Sequence, residues 1–127
     1  MNRPGVVDSS GWIEYFLDTS QADFFEPAIL ATEILIVPAI AIYEVHKRLS
    51  QLVPQEMVEQ CVEVMQRGKV AVFDGARAIA ASRIAQQYRL AMADAAMYAI
   101  AIEHDALLWT QDADYEGLPQ VMFQAKV

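Results

Sequence analysis

Short apolar runs alternate along the chain with longer stretches in which apolar residues recur every three or four positions. Gly5, Val6 and Val7 lead into Asp8 and then into an amphipathic stretch from Trp12 to Leu17. This predicts a strand running into a helix, with Ser9 or Ser10 as N-cap. Asp23 to Glu33 spaces Phe24, Ala28, Ile29 and Ala31 as a helix does. Ile34 to Val37 is a β-branched run closed by Pro38, which reads as a buried strand. From Ala41 to Leu52, Ile42, Val45, Leu49 and Leu52 repeat at three and four, a helical stripe.

Pro54 suits the first turn of the next helix, with Val58, Cys61, Val62 and Met65 on its apolar side and Gly68 ending it at C′. Lys69 to Phe73 reads as a strand, and Asp74 as the cap of a helix through Ala78, Ile79 and Ile84. Ala91 to Glu103 is alanine-rich and apolar on most sides, so it predicts a buried helix. Ala106 to Thr110 and Val121 to Phe123 complete the strands. Alternating strands and helices predict an α/β domain with a central, mostly parallel sheet flanked by helices. In such sheets, function gathers where strands end and helices begin.

Length changes this picture little: 127 residues without repeat or linker suit a single domain over 1–127. The 55% hydrophobic fraction is generous for that size and hints at a partner or homodimer face. The lone cysteine, Cys61, cannot form an internal disulfide and reads as core. No apolar stretch of signal-peptide length precedes Asp8, and the run from Ile34 to Tyr43 is too short to span a bilayer. A cytoplasmic protein away from membranes is the expectation.

Charge constrains function more sharply. Seventeen acids against nine bases give a net charge of −8, which excludes a protein that grips nucleic acid by broad phosphate neutralisation. Any nucleic-acid chemistry must recruit positive charge locally, from bound metal or a small basic cluster.

The placement of four acids supplies a reason for such recruitment. Asp8 follows the first strand, although a capping aspartate would stand there equally well. Asp94 lies in LAMADAAMYAIAI, where an unpaired carboxylate is costly; it needs a cation, a basic side chain or N–H donors, and an N-cap role is the alternative. Asp112 follows the strand LLWT, with Asp114 two residues on, and Thr110 offers a hydroxyl to hold a carboxylate. Glu44 stands at the margin of its helical stripe, where a solvated glutamate is the plainer reading. Two carboxylates about 5 Å apart repel by roughly 3 kcal/mol at an effective dielectric near 20, so converging acids raise one another's pKa values or collect cations. An oxygen-only donor set points to Mg²⁺ or Mn²⁺. The chemistry such a site suits is metal-assisted hydrolysis, with metal-activated water as nucleophile because no side chain stands out as a general base.

The segments VVDSSGWIEYF, IYEV, MADAAMYAIA and LLWTQDADYEGLP, in this order and spacing, resemble the successive motifs of PIN-domain ribonucleases, especially the VapC-type toxins of toxin–antitoxin pairs. The resemblance spans essentially the whole chain. It implies a PIN-like three-layer sandwich and a Mg²⁺- or Mn²⁺-dependent endoribonuclease. Its acidic quartet falls on Asp8, Glu44, Asp94 and Asp112, with Asp114 as an additional metal-site acid and Ser10 and Thr110 as supporting hydroxyls. It also implies an antitoxin that covers the site, often with a basic side chain, and a homodimer.

Lys47 and Arg48, one turn beyond Glu44, are candidate RNA contacts. Arg83 and Arg89 read more simply as solvated helix faces. His46 and His104 lack partners at ligand spacing. Trp12, Tyr15 and Phe16 are candidates for a partner-facing surface, with core packing as the plainer role. Two rivals remain on sequence grounds. One is a phosphoacceptor or phosphatase-like enzyme with Asp8 as nucleophile, which would want a second acid beside Asp8, where Ser9 stands. The other is a non-catalytic module of the same fold.

Overall fold

The computed structural model describes residues 3–127. Five strands, β1 (Gly5–Val7), β2 (Leu35–Pro38), β3 (Lys69–Ala71), β4 (Leu107–Thr110) and β5 (Val121–Phe123), form one sheet in the order β3-β2-β1-β4-β5. Every neighbouring pair is parallel, so the sheet is wholly rather than mostly parallel. Parallel neighbours require crossovers. Helices α1 (Ser9–Phe16) and α2 (Ala22–Leu30) connect β1 to β2; α3 (Ala39–Leu49) and α4 (Gln55–Met65) connect β2 to β3. Helices α5 (Gly75–Tyr88) and α6 (Met92–Glu103) carry the chain from β3 across to β4.

Side chains alternate across a strand, and the core divides accordingly. Val6, Ile36, Ala71 and Leu108 pack with α5 and α6 on one face. Val7, Leu35 and Val37 pack with α1 to α4 on the other. These are the three layers expected. Helix α6 is buried without interruption from Ala95 to Ala101, which explains why its sequence shows no polar face. Trp12 is core, stacked on Phe16, whereas Tyr15 and Phe16 are only partly buried.

Several local expectations are corrected. The N-cap of α1 is Asp8, not Ser9 or Ser10: its carboxylate accepts from the Gly11 N–H at 2.9 Å. Asp94 is not an N-cap either, because Ala91 takes that position and Asp94 sits in the first turn of α6. Helix α2 ends at Leu30 and a 3₁₀ turn over Thr32–Ile34 leads into β2. Pro54 is the N-cap of α4 rather than part of its first turn. The strand predicted to reach Phe73 ends at Ala71. Gly68 is not a left-handed C′ residue; among the described glycines only Gly117 has positive φ. What Gly68 provides is room, since a Cβ there would lie 2.9 Å from the Leu35 carbonyl oxygen. Asp74 caps α5 as expected, accepting from the Arg77 N–H at 3.0 Å.

The strand order fixes where a site can form. From β1 the chain leaves towards β2, and from β4 it leaves towards β5 on the opposite side, opening a crevice at their carboxyl ends. Among the described residues no helix is long and apolar enough to cross a membrane.

Candidate functional site

Asp8 is the first residue beyond β1, and its N–H donates to the Trp109 carbonyl of β4 at 3.1 Å. That bond extends the β1–β4 ladder by one step and holds the carboxylate at the mouth of the crevice. The side chain is only 4% exposed and fully engaged. Its Oδ1 accepts from the Gly11 N–H and from the Ser10 hydroxyl at 3.1 Å, and its Oδ2 from the Thr110 hydroxyl at 2.5 Å. Burial raises the Asp8 pKa; these three donors oppose the rise and the nearby Asp112 adds to it.

Thr110, the last residue of β4, is wholly buried and works in two directions. While its hydroxyl donates to Asp8, its oxygen accepts from the Asp112 N–H at 2.9 Å. One side chain therefore sets the spacing of two acids. Asp112 in turn caps a 3₁₀ turn, Ala113–Tyr115, by accepting from the Asp114 N–H at 2.9 Å.

Asp94 is brought in by α6. The Tyr115 hydroxyl donates to the Asp94 backbone carbonyl at 2.9 Å and so ties the first turn of α6 to the turn after β4. Burial is the main cause that pushes the Asp94 carboxyl up to about 6, reinforced by Asp112, Asp8 and Glu44 and opposed by the Tyr115 hydroxyl. The fully buried Tyr115 hydroxyl is itself shifted upward, first by burial and then by Asp94, so it stays a donor. Glu44 arrives from the second turn of α3, where the Ser9 hydroxyl donates to its Oε1 at 2.5 Å.

Asp8, Glu44, Asp94 and Asp112 thus line one open depression of about 300 Å³, together with Ser9, Ser10 and Arg48. Asp114 is exposed at its rim, and one carboxylate oxygen from each of Asp94, Asp112 and Asp114 lies within 4.8 Å of the other two. Around an octahedral ion with bonds of about 2.1 Å, ligand oxygens stand about 3 to 4 Å apart. The three acids therefore fit a small divalent cation with little adjustment. The donors are all oxygen, and none of these acids has a salt-bridge partner among the described residues, so the negative charge is left for a cation to offset.

The sequence pointed to Ser10 and Thr110 but not to two further supports. In the sequence Ser9 offers itself as a cap, and its role on Glu44 depends on the α1–α3 packing. The only sequence signal of Tyr115 is an aromatic residue three positions after Asp112. Arg48 lines the depression; Lys47 lines an adjoining groove instead. Arg83 and Arg89 are exposed and lie outside the depression. His46 is exposed, and His104 caps the end of α6 with Nδ1 2.9 Å from the Ile100 carbonyl oxygen.

Comparison with known proteins adds a family match. Residues 5–120 match the family model described as PIN domain. By sequence, no curated protein matches significantly. Among solved structures, a toxin–antitoxin complex from Klebsiella pneumoniae aligns with TM-score 0.78 and 19% identity, over 93% of this chain and 95% of that one. A DNA-bound VapBC from Salmonella typhimurium aligns with TM-score 0.75 and 14% identity, over 98% of each chain. FitAcB from Neisseria gonorrhoeae aligns with TM-score 0.67 and 18% identity, over 94% and 95%. At such identities the likeness is one of fold.

Proposed function

Because the chain belongs to the PIN domain family, we propose that it is a metal-dependent endoribonuclease, the toxin of a type II toxin–antitoxin pair. The observation that carries this reading is the convergence of Asp8, Glu44, Asp94 and Asp112 on one depression at the β1–β4 crevice. Asp94, Asp112 and Asp114 would hold the ion most directly, with Asp8 and Glu44 completing its surroundings. A bound Mg²⁺ or Mn²⁺ supplies Lewis acidity there, lowering the pKa of an attacking water and offsetting charge on the phosphodiester.

The chain's own residues preorganise that chemistry. Thr110 fixes Asp8 and Asp112 relative to each other, Tyr115 anchors the turn that carries Asp94, and Ser9 steadies Glu44. Ligands held in this way need little reorganisation when the ion and substrate arrive. The structural neighbours named above include toxin–antitoxin complexes. On that likeness we also propose a cognate antitoxin; a homodimeric form, a basic antitoxin side chain over the acids and a cytoplasmic setting are proposals that rest on the sequence alone.

The geometry disfavours the phosphoacceptor alternative. No lysine lines the depression, and Ser9 rather than a second acid follows Asp8. The test is RNA cleavage by the purified protein. The expected result is cleavage in Mg²⁺ or Mn²⁺ that stops in chelator and falls by orders of magnitude in Asp94→Asn. Full activity in chelator or in that variant would contradict the reading, and metal binding without cleavage would favour a non-catalytic module.

A further inference from the structure

Four polar side chains are buried among the described residues: Asp8, Thr110, Gln21 and Gln111. The first two belong to the acidic site. The glutamines do not line the depression, and a buried amide is costly unless it is hydrogen-bonded. Gln21 stands at the N-cap of α2, where Ser, Thr, Asp or Asn would cap better, and its side chain makes no capping bond. Both ends of that side chain are engaged elsewhere. Its Nε2 donates to Gln111 Oε1 at 3.1 Å and to the Ala125 carbonyl at 3.3 Å, and its Oε1 accepts from Gln124 Nε2 at 3.2 Å. The Ala125 carbonyl can only accept, which fixes Nε2 as the end of the amide that faces Gln111. The Gln124 N–H in turn donates to the Thr110 carbonyl at 3.1 Å, one step beyond β5.

Gln111 links this cluster to the acids, because it lies between Thr110 and Asp112. Successive side chains leave a strand on opposite faces. The Thr110 hydroxyl reaches Asp8 and the Asp112 N–H. Trp109 and Gln111 instead face α2, where Trp109 meets the Phe24 ring at 5.4 Å between centroids and Gln111 meets Gln21. We propose that Gln21 is a positioning residue: it clamps the Thr110–Asp112 segment from the face opposite the acids, with Gln124 and Ala125 as its other anchor, and so holds the Asp112 carboxylate in place beside Asp94. The Thr110 hydroxyl holds the segment from one face only. A pivot about it would carry Asp112 away from Asp94 and Asp114, whose oxygens now lie within 4.8 Å of its own. The attachment at Gln111 removes that freedom. The proposal rests on the metal-site part of the reading above. It adds that the spacing of the ligands is set from α2 and from the segment beyond β5, neither of which lines the depression.

The test uses Gln21→Met, whose unbranched side chain fills the same space without the amide. In the metal-free protein, amide hydrogen exchange at Asp112 and Gln124 should speed up about fivefold, the effect of one lost buried hydrogen bond, while amides of α4 stay unchanged. In a calorimetric titration with Mn²⁺, the variant should bind about tenfold more weakly than wild type. Gln111→Met should weaken binding similarly, and the double variant little further, because both changes remove the same bond. Val58→Ala, a change in the core on α4, lowers stability but should leave Mn²⁺ affinity at the wild-type value, which separates positioning from stability. The proposal is overturned if Gln21→Met binds Mn²⁺ as wild type does, if exchange at Asp112 is unchanged, if the two glutamine changes are additive, or if Val58→Ala weakens binding as much. Faster exchange at Asp112 in Gln21→Met, in a protein whose wild type takes up no Mn²⁺, would sustain the clamp and sink the metal reading, so the two fail separately.

Discussion

Asp94 and Asp8 share the electrostatic cost of the site. Burial and three neighbouring acids push the Asp94 carboxyl up to about 6, and Asp8 is shifted in the same direction, chiefly by burial. A carboxyl whose folded pKa exceeds its unfolded value binds protons more readily when folded. Stability is therefore highest below the unfolded pKa near 4, falls as pH rises towards 6, and stays reduced above it. In chelator, the protein should melt at a higher temperature near pH 5 than near pH 7.5. Asp94→Asn should flatten that slope and stabilise the metal-free protein at the higher pH, by on the order of 1 kcal/mol once solvent screening is allowed for. Thermal melts across that range check it, and a wild-type protein that is more stable at pH 7.5 would contradict it. The same residue shows how far sequence could go. Its apolar surroundings alone demanded a partner for Asp94, but an N-cap role remained open until the fold put Ala91 at the cap.

Helices α1 and α3 show what pattern alone could not supply. The periodicity of α3 placed Glu44 beside an apolar stripe, where a solvated residue looks the same as a site residue. What separates the two is the partner that meets it, Ser9 on α1, and that contact spans 35 positions of sequence. Helix α1 reaches this place because Gly11 allows it. A Cβ at Gly11 would stand 2.5 Å from Phe25 Cε1, 2.6 Å from Cδ1 and 2.9 Å from a Val7 methyl, and Phe25 is itself fully buried. Helix propensity alone would make Gly11→Ala stabilising by about 1 kcal/mol. Overpacking of this kind costs about 1–3 kcal/mol and should win. We expect a lower denaturant midpoint and reduced cleavage, because the Gly11 N–H also holds Asp8. A variant as stable as wild type would show that α1 can retreat without loss. The ends of β1, β2 and β4 were legible for a different reason, unlike that of β3: an apolar run closed by Asp8, Pro38 or Thr110 marks the carboxyl edge from local chemistry. The order of the strands was not, since a crossover past two neighbours leaves no local trace.

The whole molecule carries a net charge of −8 and gathers five carboxylates at one end of a parallel sheet. Repulsion on that scale opposes both compact folding of the site and approach of a polyanion. Two features of the architecture bear on it: carboxylate oxygens of Asp94, Asp112 and Asp114 within 4.8 Å of one another at the β1–β4 crevice, and the exposed Lys47 and Arg48 on α3 beside it. In the proposed function a bound cation would let phosphate come close to this acid cluster, so the account stands or falls on its binding. The most direct measurement is a calorimetric titration of the purified protein with Mn²⁺ near pH 7.5, alongside Asp112→Asn. The account predicts saturable binding by wild type that is lost or greatly weakened in the variant. No saturable binding, or binding that Asp112→Asn leaves unchanged, would contradict it.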